Sequence, residues 1–151
     1  MAIKIRPAIE AEQEEINRII KEAGINPRQL DWQRFLVADD EGKVIAIGQV
    51  KPHGDEVREL ASLAVIPEHK GQGWGRKMVE ALLEQEEGKI FLICKSLLEP
   101  YYNRFGFHTL KFKEMPSYYQ RLYLLANLVL PIMGLFQRRK LRLLVMVKEA
   151  V

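Results

Sequence analysis

Three glycines at alternate positions, Gly71, Gly73 and Gly75, follow a proline in PEHKGQGWGRKM (residues 67–78) and lead into a stretch of helical periodicity. Glycine at these positions removes side chains that would hold a ligand away from the backbone, and it permits positive backbone torsions. A helix that starts inside such a turn presents amide N–H groups with no intrahelical acceptor, together with the positive end of its dipole. Backbone alone binds phosphate in this way. The chemistry expected of the loop is therefore anion binding. It lacks the Gly-Lys-Ser/Thr ending that would hold magnesium and a terminal phosphate. A dinucleotide fold would need Gly-x-Gly-x-x-Gly after the first strand of a parallel unit, whereas this turn follows what reads as an antiparallel meander.

Other reactive residue types are sparse. Cys94 is the one cysteine, so no intrachain disulfide forms, and a reducing compartment fits. Its place in the apolar run KIFLIC reads as a buried thiol rather than a nucleophile. His53, His69 and His108 fall at turn and loop positions without metal-ligand spacing. No metal is expected, and surface or capping roles are expected of all three.

The elements that must position the glycine turn follow from periodicity. AIKIRPA alternates as a strand does, and EAEQEEINRIIKEAG carries Ile16, Ile19, Ile20 and Ala23 at helical spacing before Gly24. Residues 32–67 read as three strands, because DDEG and PHGD place turn residues between runs rich in Val and Ile. After the glycine turn come a helix through GRKMVEALLEQEEG, a buried strand KIFLIC, a short helix around EPYYNRF, a strand from Gly106 onward and a last strand LRLLVMVK. This order predicts an α/β fold with a central mixed, mostly antiparallel sheet flanked by helices.

A chain of 151 residues, 48% hydrophobic, suits one domain with a single core, here residues 1–151. The net charge of +3 is unevenly placed: residues 1–99 carry 14 Lys+Arg against 18 Asp+Glu, and residues 100–151 carry 9 against 2. Arg138, Arg139, Lys140 and Arg142 are read as a solvated basic face, and no nucleic-acid partner is expected. The N-terminus has no apolar run long enough for a secretory signal, and its acidic residues argue against a transit peptide, so a cytoplasmic location is expected.

RELASLAVIPEHKGQGWGRKMVEALL resembles the central motif of the GNAT superfamily of acyl-CoA N-acyltransferases: a strand, a Gln/Arg-x-x-Gly-x-Gly/Ala loop and a helix. Lys70, Gly73 and Gly75 occupy the loop's marked positions. EPYYNRFGF, residues 99–107, resembles the family's Phe-Tyr-x-x-x-Gly-Phe segment, and the two motifs stand in the family's order. The resemblance implies that acetyl-CoA is the co-substrate. Its pyrophosphate would lie on the amides of Lys70, Gly71, Gln72, Gly73, Trp74, Gly75 and Arg76, and its pantetheine arm beside Leu63, Ala64 and Val65. Trp74 stands where the family generally has an aliphatic residue, and packing under the loop is favoured over contact with adenine. An asparagine frequent in the family is replaced within CKSLLEP, where Ser96 is the substitute donor.

Acyl transfer from a thioester to an amine needs a neutral amine, a polarised carbonyl and stabilisation of the departing thiolate. The resemblance places Glu59 where several members carry a glutamate, making it the candidate base, with an exposed strand glutamate as the alternative. Simple alternation would put Glu59 on one face with Ala61, Leu63 and Val65, unless a bulge changes the phase. Tyr102 matches the family's tyrosine and is the candidate donor to the thiolate, while Tyr101 is expected to pack. A backbone N–H near Val65 would polarise the carbonyl.

Residues 117–140 fit the pattern poorly, as an apolar helical insert before the last strand. Residues 122–136 carry no charge, yet as a helix they would reach only about 22 Å against a hydrocarbon core of about 30 Å. A wall over the acceptor site or a homodimer contact is favoured over peripheral membrane contact. Two functions remain. The first is an N-acetyltransferase acting on a primary amine, small-molecule or peptide, with a local likeness to the acetyltransferase domains of amino-acid acetyltransferases. The second is a non-catalytic acyl-CoA binding module that docks a partner through the apolar insert.

Overall fold

The alternation in AIKIRPA folds as β1 (Lys4–Pro7), and the isoleucine stripe that follows as α1 (Gln13–Ala23). In this computed structural model, which describes residues 2–54, 56–129 and 142–150, the meander is β2 (Phe35–Asp40), β3 (Lys43–His53) and β4 (Val57–Val65). Then come α2 (Trp74–Glu84), β5 (Ile90–Lys95), α3 (Glu99–Asn103), β6 (His108–Thr109), α4 (Ser117–Leu124) with a π-helical turn over Leu125–Val129, and β7 (Leu143–Lys148). The strands form a seven-stranded mixed sheet in the order β1-β2-β3-β4-β5-β7-β6, the architecture expected from the element order. The β1/β2, β2/β3, β5/β7 and β6/β7 pairs are antiparallel, and β4 pairs with β5 in parallel, with Glu59 opposite Phe91.

The chain divides into two compact units, Met1–Lys51 with Leu60–Glu86, and Pro52–Glu59 with Glu87–Val151. In the first, β3 is buried without a break from Val44 to Lys51, as a strand covered on both faces must be. Ile16, Ile19 and Ile20 of α1 and Met78, Val79 and Leu82 of α2 bury against the same core. α1 ends where Gly24 turns left-handed, its N–H bonding Ile20 and Lys21 carbonyls. Arg6 ties β1 to β2 through Asp39 at 3.1 Å and also binds Glu12.

In the second unit Phe91, Met115, Tyr119, Val145 and Val147 form the core. Tyr119, fully buried on α4, sets its ring 5.4 Å from Phe91. The Asn127 amide accepts from Leu143 N–H and donates to Leu143 C=O, so the π-helical turn is hydrogen-bonded to the start of β7. Burial of the apolar segment is thus graded: Tyr119 is enclosed, whereas Leu124, Leu125 and Leu128 are exposed. Pro131, Leu135 and the Arg138–Arg139–Lys140 run lie outside the described residues. Among the described residues no helix is long and apolar enough to cross a membrane.

Gly48 marks the tightest approach in the first unit. A Cβ there would stand 2.8 Å from Leu63 Cδ2 and from Leu82 Cδ1, and 3.0 Å from Met78 Cγ. These atoms belong to side chains that are largely packed, so relief requires repacking of α2 over β3. Gly48→Ala is expected to lower stability by about 1–2 kcal/mol, read as a reduced urea midpoint at unchanged slope. An unchanged midpoint would show that α2 accommodates the methyl freely.

Candidate active site

The glycine turn sits in the first unit. Pro67–His69 makes one 3-10 turn after β4, and Gly71 and Gly73 then take φ of 79° and 88°, torsions that glycine adopts without a Cβ penalty. Gly73 is the N-cap of α2, and the first helical bond runs from Lys77 N–H to Gly73 C=O. The amides of Trp74, Gly75 and Arg76 therefore have no intrahelical acceptor. Lys70, Gly71, Gln72, Gly73 and Arg76 are exposed, Trp74 and Gly75 half-buried. Lys77 Nζ lies 4.4 Å from the centre of the Trp74 ring, and Arg76 pairs along the helix with Glu80. His69 bonds Gln72 across the turn at 3.0 Å.

β4 does not run in simple alternation. Ser62 has φ of 58°, a left-handed residue inside a strand, which costs about 1–2 kcal/mol for a residue with a Cβ. Its buried hydroxyl accepts from Gln49 Nε2 at 2.8 Å, and Gln49 is further bonded to Gln29 C=O and to Arg34. Gln49 and His53, four residues apart on β3, share a face, and Glu59 contacts His53 as Ser62 contacts Gln49. Glu59 and Ser62, three apart, thus point to one side, whereas Leu63 points to the other and covers Gly48. The bulge overturns the expectation that Glu59 shares a face with Leu63 and Val65. Leu63, Ala64 and Val65 are half-buried.

The carboxylate of Glu59, 14% exposed, lies in the second unit with its Oε1 2.5 Å from Nε2 of His53. With Glu59 ionised, that ring nitrogen carries the hydrogen and donates it. His53 is 8% exposed and stacks on Tyr118, ring centres 4.3 Å apart and planes 19° from parallel. The surface role expected for His53 is therefore replaced by a buried one. The turn residues PHGD pointed to the loop, but His53 is still the last residue of β3, two positions beyond buried Lys51 on the same face. A row of Gln49, Lys51 and His53 in an otherwise apolar strand was the signal. Tyr119 directs a buried hydroxyl toward Glu59. Burial, and then the Glu59 charge, push its pKa far up, so it stays a neutral phenol.

Tyr102, on α3, lies edge-on to Tyr101 and Phe107. Burial, reinforced by Tyr101 and Cys94, pushes its pKa up to about 12. It is a proton donor rather than a base at neutral pH. Glu59 is in register with Phe91, and Tyr102 lies near Cys94, three residues further along β5. Cys94 is buried with its thiol 3.7 Å from Met146 Sδ, and burial then Glu99 push its pKa up to about 11, as befits a core thiol. Ser96 N–H donates to Arg142 C=O at 2.7 Å, so this amide is already engaged. Among the described residues no three metal-ligating side chains converge.

Residues 31–109 match the acetyltransferase (GNAT) domain family, just over half the chain, and the chain belongs to that family. It is 28% identical over 119 residues to the amino-acid acetyltransferase of Pseudomonas aeruginosa, an alignment that covers 72% of this chain and 28% of that enzyme. The chain thus spans little more than a quarter of that relative's length. By structure it resembles the N-acetylglutamate synthase of Neisseria gonorrhoeae solved with coenzyme A and N-acetyl-glutamate (TM-score 0.72, 18% identity, 100% of this chain and 36% of the other). It also resembles the ribosomal-protein-S18-alanine N-acetyltransferase of Escherichia coli (TM-score 0.69, 16% identity, 99% of this chain and 94% of the other).

The left-handed torsion at Gly73 generates a stability difference within the turn. Gly73→Val should lower unfolding free energy by about 1–2 kcal/mol, because a β-branched residue is forced to positive φ. Lys70→Ala, an exposed change, should stay within about 0.5 kcal/mol. Denaturant titration of both variants checks this, and equal effects would refute the torsional account.

Proposed function

We propose that this chain is an acetyl-CoA-dependent N-acetyltransferase acting on a primary amine, with a small amino acid as the favoured acceptor. One observation carries the reading: a largely covered carboxylate in register with β5 and a neutral phenol near the same strand supply a proton acceptor for an amine and a donor for a departing thiolate. The amino-acid preference is supported by the likeness to the Pseudomonas enzyme. A protein amine is the alternative, supported by the structural likeness to the ribosomal-protein acetyltransferase.

In this reading the pyrophosphate of acetyl-CoA is bound by the amides of residues 70–76, with the helix start offsetting its charge. Leu63, Ala64 and Val65 offer backbone to the pantetheine, and an N–H near Val65 polarises the thioester carbonyl. The Glu59 carboxylate takes a proton from the ammonium, directly or through water, and the neutral amine attacks the carbonyl carbon. The C–S bond breaks, the Tyr102 hydroxyl stabilises the thiolate with a hydrogen bond, and the second proton of the nitrogen passes through water to the thiolate while Glu59 returns its own proton to solvent. Free coenzyme A and the N-acetyl amine leave. Ser96 is the substitute coenzyme contact, through its side chain because its N–H is engaged.

Incubation with acetyl-CoA and pools of amino acids and peptides, followed by thiol release and by mass gain in the pools, tests the reading. Coenzyme binding without acceptor-dependent thiol release would favour a binding module. Glu59→Gln should lower turnover about 100-fold near neutral pH, recovering partly at alkaline pH as more amine is already neutral. Tyr102→Phe should lower kcat about tenfold with little change in coenzyme affinity. Wild-type rates in both would leave the chemistry to backbone and water. Gly73→Val should also weaken acetyl-CoA binding in calorimetric titration far more than Lys70→Ala, and equal losses would assign the pyrophosphate to side-chain charge.

A further inference from the structure

Glu59 is held by a residue that neither of the family motifs in the sequence contains. Its Oε1 accepts from His53 Nε2 at 2.5 Å, and the buried Tyr119 hydroxyl faces the same carboxylate. The imidazole is itself fixed: Tyr118 stacks on one face at 4.3 Å, and Tyr119 meets it edge-on at 6.5 Å. The groups placed against the pair are Glu59 from β4, Tyr118 and Tyr119 from α4, and Phe91 from β5. A carboxylate on a strand has freedom about its χ angles, and misplacing a proton acceptor by about 1 Å can cost up to about 100-fold in rate.

We propose that His53 is a positioning residue for Glu59: its Nε2–H, on a ring clamped by Tyr118, fixes the carboxylate in the orientation that meets the acceptor amine. This rests on the reading of Glu59 as the base. The hydrogen bond does the positioning, and the stacked ring only aims the donor. Tyr119 adds no competing charge, since burial keeps it a neutral phenol.

Two substitutions separate the hydrogen bond from the ring. His53→Phe keeps an aromatic face for Tyr118 but has no donor, whereas His53→Gln keeps an N–H donor and loses the ring. Acetyl transfer is followed by thiol release with acetyl-CoA and an equimolar pool of the common amino acids, alongside unfolding temperature and acetyl-CoA affinity for each variant. His53→Phe should lower kcat about tenfold with KM for acetyl-CoA unchanged, and His53→Gln should stay within about threefold of the unaltered chain. If His53→Phe does not fold, His53→Asn, whose shorter amide falls short of Glu59, replaces it with the same expected loss. The reverse order, with Phe active and Gln impaired in a folded protein, would assign His53 to packing and overturn the proposal. If Glu59→Gln is impaired while His53→Phe turns over normally, the positioning role alone falls. Wild-type turnover in Glu59→Gln, or no acceptor-dependent release from the unaltered chain, removes the base assignment and this inference with it.

Discussion

The path of β4 through Ser62 is the constraint on which the candidate chemistry depends. Within five residues the strand must turn Glu59 toward His53, Ser62 toward Gln49, and Leu63 to the opposite side over Gly48. A regular strand cannot do this, because its side-chain period is two. One left-handed residue changes the phase, and the buried hydrogen bond from Gln49, worth about 1 kcal/mol, offsets much of the torsional cost. Gln49 is itself fully bonded, so the bulge is fastened to the loop before β2 through Gln29 and Arg34.

Backbone and side chain divide the work. In the proposed reaction the glycine turn would bind its anion through amides freed by left-handed glycines, with its exposed cations interchangeable in principle. The proposed proton chemistry would rely on particular side chains held by particular neighbours. Burial keeps Tyr102 and Tyr119 protonated, whereas Glu59 is held in place by a hydrogen bond with His53.

The family match ends at residue 109, and the helix that covers the His53–Glu59 pair begins at Ser117. This chain therefore brings to its candidate base an aromatic pair, Tyr118 and Tyr119, from outside the matched region. Tyr119 anchors the helix in the core beside Phe91, and Asn127 pins the following turn to β7 through both polar groups of Leu143.

Local pattern determined much of this protein. Alternation and isoleucine spacing located β1 and α1, turn residues separated β2, β3 and β4, and the alternate glycines marked the start of α2. Such features are read within a few residues, since torsion and periodicity are local properties. The mixed character of the sheet followed from the sequence of elements, whereas the place of β7 between β5 and β6 did not. Tertiary structure decided the rest. Whether β4 alternates or bulges depends on what Gln49 offers from the next strand. Whether His53 is a loop histidine or a buried partner depends on Glu59 and on Tyr118, six and sixty-five residues away. Pairings of that kind are set by the packing of separate elements, and a single sequence does not state which side chains packing brings together.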